Sequence, residues 1–208
     1  MEINSKTIID ISMPLDHNTV VWIEDSQPNL KPICRLPEDE CNFTWLDFGA
    51  HAGTHVDAPY YLFTNGWTTD QIPLSRLVGP CQVLDLSNVT DTIGPEDLEQ
   101  HTITSHIILL KTQNSFDTMK TYNPTHVQIN DAAARYLLAT GVQTLGFDYQ
   151  SFERNGANVI HRIFLEKSIT LLDNLRLGHV EPGMYTLLCL PIKVMGIDGA
   201  PARAVLLP

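Results

Sequence analysis

Three polar side chains, His51, His55 and Asp57, fall within seven positions of the stretch His-Ala-Gly-Thr-His-Val-Asp-Ala-Pro, residues 51–59. This crowding restricts the backbone more than any other feature of the chain. In a helix, His51 and His55 share a face as an i, i+4 pair, but Asp57 points away. In a straight strand all three share a face, yet at about 3.3 Å per residue the outer pair lies roughly 20 Å apart. A bend at Ala52 and Gly53 brings the three together when it runs into a short extended piece that Pro59 ends, with His55 and Asp57 as same-face neighbours. Imidazole and carboxylate donors in such a group suit zinc, manganese or iron, and three protein ligands leave positions open for water and substrate. A lone histidine is more often a buried, hydrogen-bonded side chain. Three donors on one short stretch point instead to a metal site.

The 208 residues, 43% of them hydrophobic, suffice for one sizeable core and give no reason to divide the chain, so a single domain over residues 1–208 is expected. A net charge of -11 argues against nucleic acid or an anionic membrane as partner and favours a small-molecule substrate. No basic leader with an apolar run opens the sequence, and no apolar stretch reaches the ~18–20 residues of a membrane span, which makes a cytoplasmic location the expectation. Cys34, Cys41, Cys81 and Cys189 form no C-x-x-C pair and read as free thiols.

Along the chain, residues 7–13 read as a strand and 20–23 as a short extended piece, while 26–41, with Pro28, Pro32 and Pro37, read as a wandering connection. Residues 43–48 read as a strand leading into the histidine motif, and their aromatics, Trp45 and Phe48, are candidates for a substrate wall or for ordinary packing. Asn65-Gly66 marks a turn. Apolar strands follow at 81–86 and 105–111, with a helical turn or two after Pro95. The clearest helix is capped by Asn130, runs through 132–138 and stops at Gly141, and a strand at 144–148 follows directly. This strand, helix, strand rhythm predicts an α/β fold with mixed sheets and a few crossover helices. Asp148, Gln150 and Ser151 sit where open α/β sheets place ligands, at the carboxyl end of a strand, and for Asp148 a capping or turn role is the equal alternative. His161 opens a short helical segment, and Asp173 ends an apolar strand, where a carboxylate is costly unless paired or metal-bound. Arg176 and Arg203 are its alternative partners. Residues 184–190 and 204–207 read as the last strands, separated by 196–201.

The string His-x-Gly-Thr-His-x-Asp-x-Pro resembles the signature of the metal-dependent cyclase and hydrolase superfamily that includes bacterial kynurenine formamidase, isatin hydrolase and some aromatic polyketide cyclases. The resemblance extends from the opening IIDISMPL, through SRLVGPCQVLDLS, GVQTLGFDYQSFE and HRIFLEKSITLLDNL, to the closing PIKVMGIDGAPARAVLLP. It implies a swivelling β/β/α type of fold, and a ligand set of His51, His55 and Asp57 completed by His161 and by a glutamate before Asn-Leu. Here Asp173 stands in that glutamate's place, one methylene shorter. It also implies a catalytic proton-transfer group two residues beyond the motif's proline, where relatives carry histidine and this chain carries Tyr61. Tyrosine is a poor base near neutral pH, its reference pKa being about 10, but it can donate a hydrogen bond to an oxyanion, or act as an acid or base where a nearby metal lowers its pKa. Its other role is as an aromatic wall of the pocket. Relatives are dimers or tetramers whose N-terminal segments help cover a partner's pocket, so the resemblance implies a homodimer or homotetramer, with residues 26–41 in that covering position.

Taken together, the chain is expected to bind one or two divalent ions, zinc or manganese, with Asp57 able to bridge a pair. The expected activity is metal-dependent hydrolysis of a small amide, formamide, lactam or lactone, with Tyr61 as the catalytic side chain and Trp45, Phe48 and Ser151 lining the substrate pocket. Metal-assisted cyclisation or dehydration of an aromatic or polyketide precursor is the alternative that Tyr61 accommodates, and a non-catalytic metal-binding module is a third.

Overall fold

Three fully buried runs, residues 107–111, 144–147 and 170–173, set the architecture, because a strand with no solvent-facing side has to be covered on both sides. In the computed structural model, which describes residues 8–22, 25–117, 121–154 and 156–208, these runs lie side by side in the middle of one mixed sheet. Thr7 and Ile23, the outer residues of two expected extended segments, lie outside the described residues. In chain order the strands are β1 (Ile9–Asp10), β2 (Asn29–Cys34), β3 (Phe43–Asp47), β4 (His55–Asp57), β5 (Val78–Asp85), β6 (Thr92–Ile93), β7 (Ile107–Lys111), β8 (Gln128–Ile129), β9 (Thr144–Phe147), β10 (Thr170–Asp173), β11 (Gly183–Pro191) and β12 (Gly199–Leu207). The helices are α1 (Pro95–Leu98), α2 (Asp131–Ala139) and α3 (Val159–Glu166).

Strands β5, β7, β9 and β10 pair in parallel, and each step between them is bridged by a helix: α1 before β7, α2 before β9, α3 before β10. Such crossovers are what parallel pairing requires. Antiparallel β11 and β12 extend the sheet beyond β5, and β4 extends it beyond β10. Because β12 also pairs with β4, all of the eight strands except β1 close into a barrel-like ring. Gly199, Ala200 and Pro201 face Asp57, Val56 and His55, and further along the same edge of β12 Leu206 and Val205 face Ile9 and Asp10 of β1.

Period-2 alternation divides the core. Ile108 and Leu110 of β7 join Leu145 and Phe147 of β9 under α2 and α3, whereas Ile107 and Leu109 join Val56, Cys81, Leu172 and Leu206 on the opposite face. Each fully buried Leu, Ile or Phe contributes about 1.5–3 kcal/mol relative to exposure. Asn130 caps α2 as expected, its side chain accepting from the Ala133 amide at 2.8 Å, and Gly141, with φ 81°, follows the helix in the left-handed region.

Three expectations need correction. Residues 26–41 are not all irregular: β2 pairs antiparallel with β3 as a two-stranded ribbon apart from the main sheet. Proline is tolerated there because a ribbon strand has a free edge on which a missing N–H costs nothing, and the register shifts between Pro32 and Cys34. Val20 and Val21 are buried but outside any strand. The last strand begins at Gly199, before the expected position 204, because β4 pairs with its first residues.

The Asn65–Gly66 turn carries the chain back onto the end of the histidine motif. The Gly66 amide donates to Phe63 O at 2.8 Å, and the Tyr60 amide to Trp67 O at 2.9 Å, which braces the 3₁₀ turn Pro59–Tyr61. A Cβ at Gly66 would lie 2.4 Å from the backbone carbon of Pro59, a clash no side-chain movement relieves. Gly66→Ala is therefore expected to cost about 2 kcal/mol or more, a fall of roughly 5 °C or more in melting temperature for a protein of this size, measurable by calorimetry.

Candidate metal centre

The bend that the motif requires is present. Gly53 sits at φ 66°, the Ala52 amide donates to Gly49 O at 3.1 Å, and from His55 the chain runs straight as β4. Within β4, Val56 turns into the core while His55 and Asp57 share the other face. Strand β10 lies alongside with Asp173 opposite His55, and α3 supplies His161.

The donor atoms form two overlapping groups. His51, His55 and Asp57 offer ligand atoms within 4.8 Å of one another, and so do Asp57, His161 and Asp173. Asp57 belongs to both. Its Oδ1 lies 2.8 Å from His51 Nδ1 and 3.3 Å from His55 Nε2, while its Oδ2 lies 4.0 Å from His161 Nε2. His161 Nε2 is 3.5 Å and His55 Nε2 3.9 Å from Asp173 Oδ2. Asp173 thus joins the cluster despite its short side chain and pairs with neither arginine; Arg203 binds Asp10 at 2.5 Å, and Arg176 donates to Ser115 O at 3.1 Å.

Each histidine has its other ring nitrogen occupied. His55 Nδ1 donates to Gly53 O at 2.8 Å, His51 Nε2 to Asp198 Oδ2 at 2.7 Å and His161 Nδ1 to Glu153 Oε1 at 3.3 Å. Glu153 also accepts from the Val159 and Ile160 amides at the start of α3, and Phe152 packs edge-on against the His161 ring at 5.3 Å. Metal-binding histidines are held this way, with one nitrogen bonded outward and the other free to coordinate. A further observation fits a cation: Asp173 Oδ1 is buried with no hydrogen-bond partner among the described residues. An uncompensated carboxylate oxygen there is costly, and a positive ion removes the cost.

Electrostatics shows the same need for a cation. Burial opposes ionisation of Asp57, but the imidazoles of His51 and His55 overcome it and hold the carboxyl far below the usual range. Burial, reinforced by the Asp57 charge, raises Asp173. Burial also opposes the charged forms of His51 and His161. Asp57 and Asp198 outweigh it for the first, Asp173 and Glu153 for the second, lifting both to about 10. Without an ion the cluster therefore holds protons, which a divalent ion would displace.

The cluster floors a cavity of about 320 Å³ whose walls include Trp22, Asp25, Tyr61, Gln150, Ser151 and Asn158. The Tyr61 ring lies 4.6 Å from His51 and 6.3 Å from His161. Burial, and then the Asp57 and Asp173 carboxylates, push its phenol up to about 12. The hydroxyl of Ser151 is engaged in its own turn, donating to Glu153 O at 2.9 Å. Trp45, 58% exposed on the ribbon, and Phe48 are not among the cavity's lining residues. Asp148 is a structural group: its carboxylate accepts from the amides and hydroxyls of Thr112 and Ser115 and holds the turn Gln113–Phe116. Glu153, Asp198 and Trp22 escaped the sequence reading. The only local hint of Asp198 is a polar Asp-Gly step between apolar strands, and His51 is 147 residues away.

A closed α/β sheet with a shared carboxylate between two histidine-containing ligand groups, opening on a small cavity, defines a class of metal-dependent hydrolytic enzymes. Residues 9–154 match the family model described as "Putative cyclase", and the chain belongs to this cyclase family. It is 33% identical over 204 residues to the kynurenine formamidase of Salinibacter ruber, covering 96% of each chain. Among solved structures, a predicted metal-dependent hydrolase from Bacillus stearothermophilus is 30% identical and superposes with a TM-score of 0.84, covering 96% of this chain and 97% of that one. An isatin hydrolase bound to the product analogue thioisatinate, at 19% identity and TM-score 0.83 over 97% and 92% of the two chains, shares the fold.

The two ligand groups share Asp57, and Asp173 belongs to only one of them. Elemental analysis should therefore find less divalent metal per chain in Asp173→Ala, which keeps the His51, His55 and Asp57 group intact, than in the wild type.

Proposed function

We propose that the chain hydrolyses a small amide, with formamides and lactams first and lactones next, at a two-ion zinc or manganese centre held by His51, His55, Asp57, His161 and Asp173. The observation that carries this reading is Asp57 with one oxygen toward each ligand group, on the floor of a cavity sized for a small molecule. The kynurenine formamidase resemblance supports an amide carbonyl as the target. A divalent ion held by these residues would polarise a carbonyl oxygen and bring water toward ionisation at neutral pH, supplying electrophile and nucleophile without a side-chain nucleophile.

The chain's own residues bind, orient and donate. Trp22 forms a flat wall lying against Gly156, where a Cβ would come within 2.8 Å of the indole ring. The amides of Gln150 and Asn158 offer polar edges in the wall. Tyr61, held protonated by its surroundings, donates a hydrogen bond to the oxyanion that develops when the carbonyl is attacked. With its phenol raised, Tyr61 is suited to donate a hydrogen bond rather than to accept a proton.

Cyclisation or dehydration is the second reading, favoured only by the tyrosine at position 61. Oxygen from ¹⁸O-labelled water should enter the acid product of a formamide, lactam or lactone panel; turnover without label would select cyclisation. Tyr61→Phe should lower kcat about 10²-fold with little change in KM, the loss expected for one oxyanion donor. Activity surviving His55→Ala would remove the ion held by His51, His55 and Asp57 from the mechanism. We also assign a homodimer or homotetramer to the working enzyme, supported by the exposed apolar side chains of the β2–β3 ribbon, Ile33, Phe43, Trp45 and Leu46.

A further inference from the structure

We propose that Asp198 is the positioning residue of the first ion site, the one formed by His51, His55 and Asp57, and that it acts by holding the His51 imidazole with Nδ1 turned to the ion. The assignment rests on the metal-dependent reading above.

The His51 ring is held at both nitrogens. Nε2 lies 2.7 Å from Asp198 Oδ2, and Nδ1 lies 2.8 Å from Asp57 Oδ1. A carboxylate only accepts, so Nε2 carries the proton toward Asp198, and in the neutral ring Nδ1 then presents a lone pair. A lone pair and a carboxylate oxygen at 2.8 Å need a cation to share, either a proton or a metal ion. Turning the ring over would exchange nitrogens for carbons and lose both contacts.

Neighbouring groups also lie close against the ring. Gly199 lies directly beneath the ring: a Cβ there would be 2.6 Å from Cε1 and 2.9 Å from both nitrogens. Tyr61 packs on the ring at 4.6 Å between centroids. The position of Asp198 is set by the motif it serves, since its carbonyl accepts from the Ala58 amide at 2.9 Å, one residue beyond Asp57, and Gly199 pairs with Asp57 across β12 and β4. The three histidines are therefore oriented by three different partners: a backbone carbonyl for His55, Glu153 for His161, and Asp198 for His51. Among these, Asp198 is the carboxylate with a 40% exposed side chain, on the cavity wall, so its replacement leaves the core untouched.

The test is zinc affinity by competition with a chromophoric chelator, together with the visible spectrum of the cobalt-loaded protein, for wild type, Asp198→Ala and the shape-preserving Asp198→Asn. Loss of a partner that orients a ligand weakens metal binding 10- to 100-fold. One of the two ions should weaken by roughly that factor in Asp198→Ala, and by less in Asp198→Asn, whose amide oxygen still accepts. The other ion should bind as in the wild type, and the cobalt bands of the weakened site should change. Combined with Asp173→Ala, which leaves only the first site, Asp198→Ala should weaken the single remaining ion by the same factor. Wild-type affinity for both ions with an unchanged cobalt spectrum in both variants would overturn the assignment, and so would equal weakening of both ions. Failure of the wild type to take up any ion would instead overturn the metal-dependent reading on which it stands.

Discussion

Three residues of β4 hold the molecule together. His55, Val56 and Asp57 are paired on one edge with β10 and on the other with β12, so the shortest strand of the ring is the one that closes it. Closure gives every backbone donor and acceptor of that stretch a partner and leaves no sheet edge beside the cluster. It also dictates where the side chains go. With Val56 committed to the core, His55 and Asp57 must face the other way, and β10 in register brings Asp173 opposite His55. The crowd of like-charged carboxylates that follows is unfavourable by itself. The protein accepts it because the strand pairing is strong and because a cation can occupy the space between them.

The outward bonds of the histidines extend the same logic. A ligand that can rotate is a weak ligand, and here each ring is tied to a different segment: the bend before β4, the loop that leads into α3, and the turn before β12. Each of these elements is anchored elsewhere, α3 by Phe164 and Leu165 in the core beneath it and β12 by long antiparallel pairing with β11. The packing of the fold is thus transmitted to the angles of the imidazoles.

The α/β class, the helix capped by Asn130 and the histidine motif with its bend were legible in the sequence, because each is written in local chemistry: an apolar period, a cap, a small residue between two ligands. The relation of Asp173 to the cluster was legible for a different reason, a charge in a strand otherwise apolar. What could not be read is whatever depends on register between distant strands. Nothing near Asp198 or Glu153 announces a histidine partner, since the contact exists only when β12 lies against β4 and α3 stands above Glu153. Trp45 is the converse case. Its strand alternates like a core strand, but every residue of that strand is exposed, and Trp45 is not among the residues that line the cavity.

The position of β12 in the ring has a consequence for how the protein comes into being. All five clustered donors lie between residues 51 and 173, yet the strand that completes their enclosure begins at Gly199. On a ribosome, the donors emerge long before the segment that orders them, because synthesis proceeds at about 5–20 residues per second from the N-terminal end. For that interval the nascent chain exposes histidines and aspartates in a loose arrangement, able to bind an ion in the wrong geometry or none at all. The geometry of the donors is therefore completed only with the arrival of the last strand, whatever the order in which the donors themselves are made.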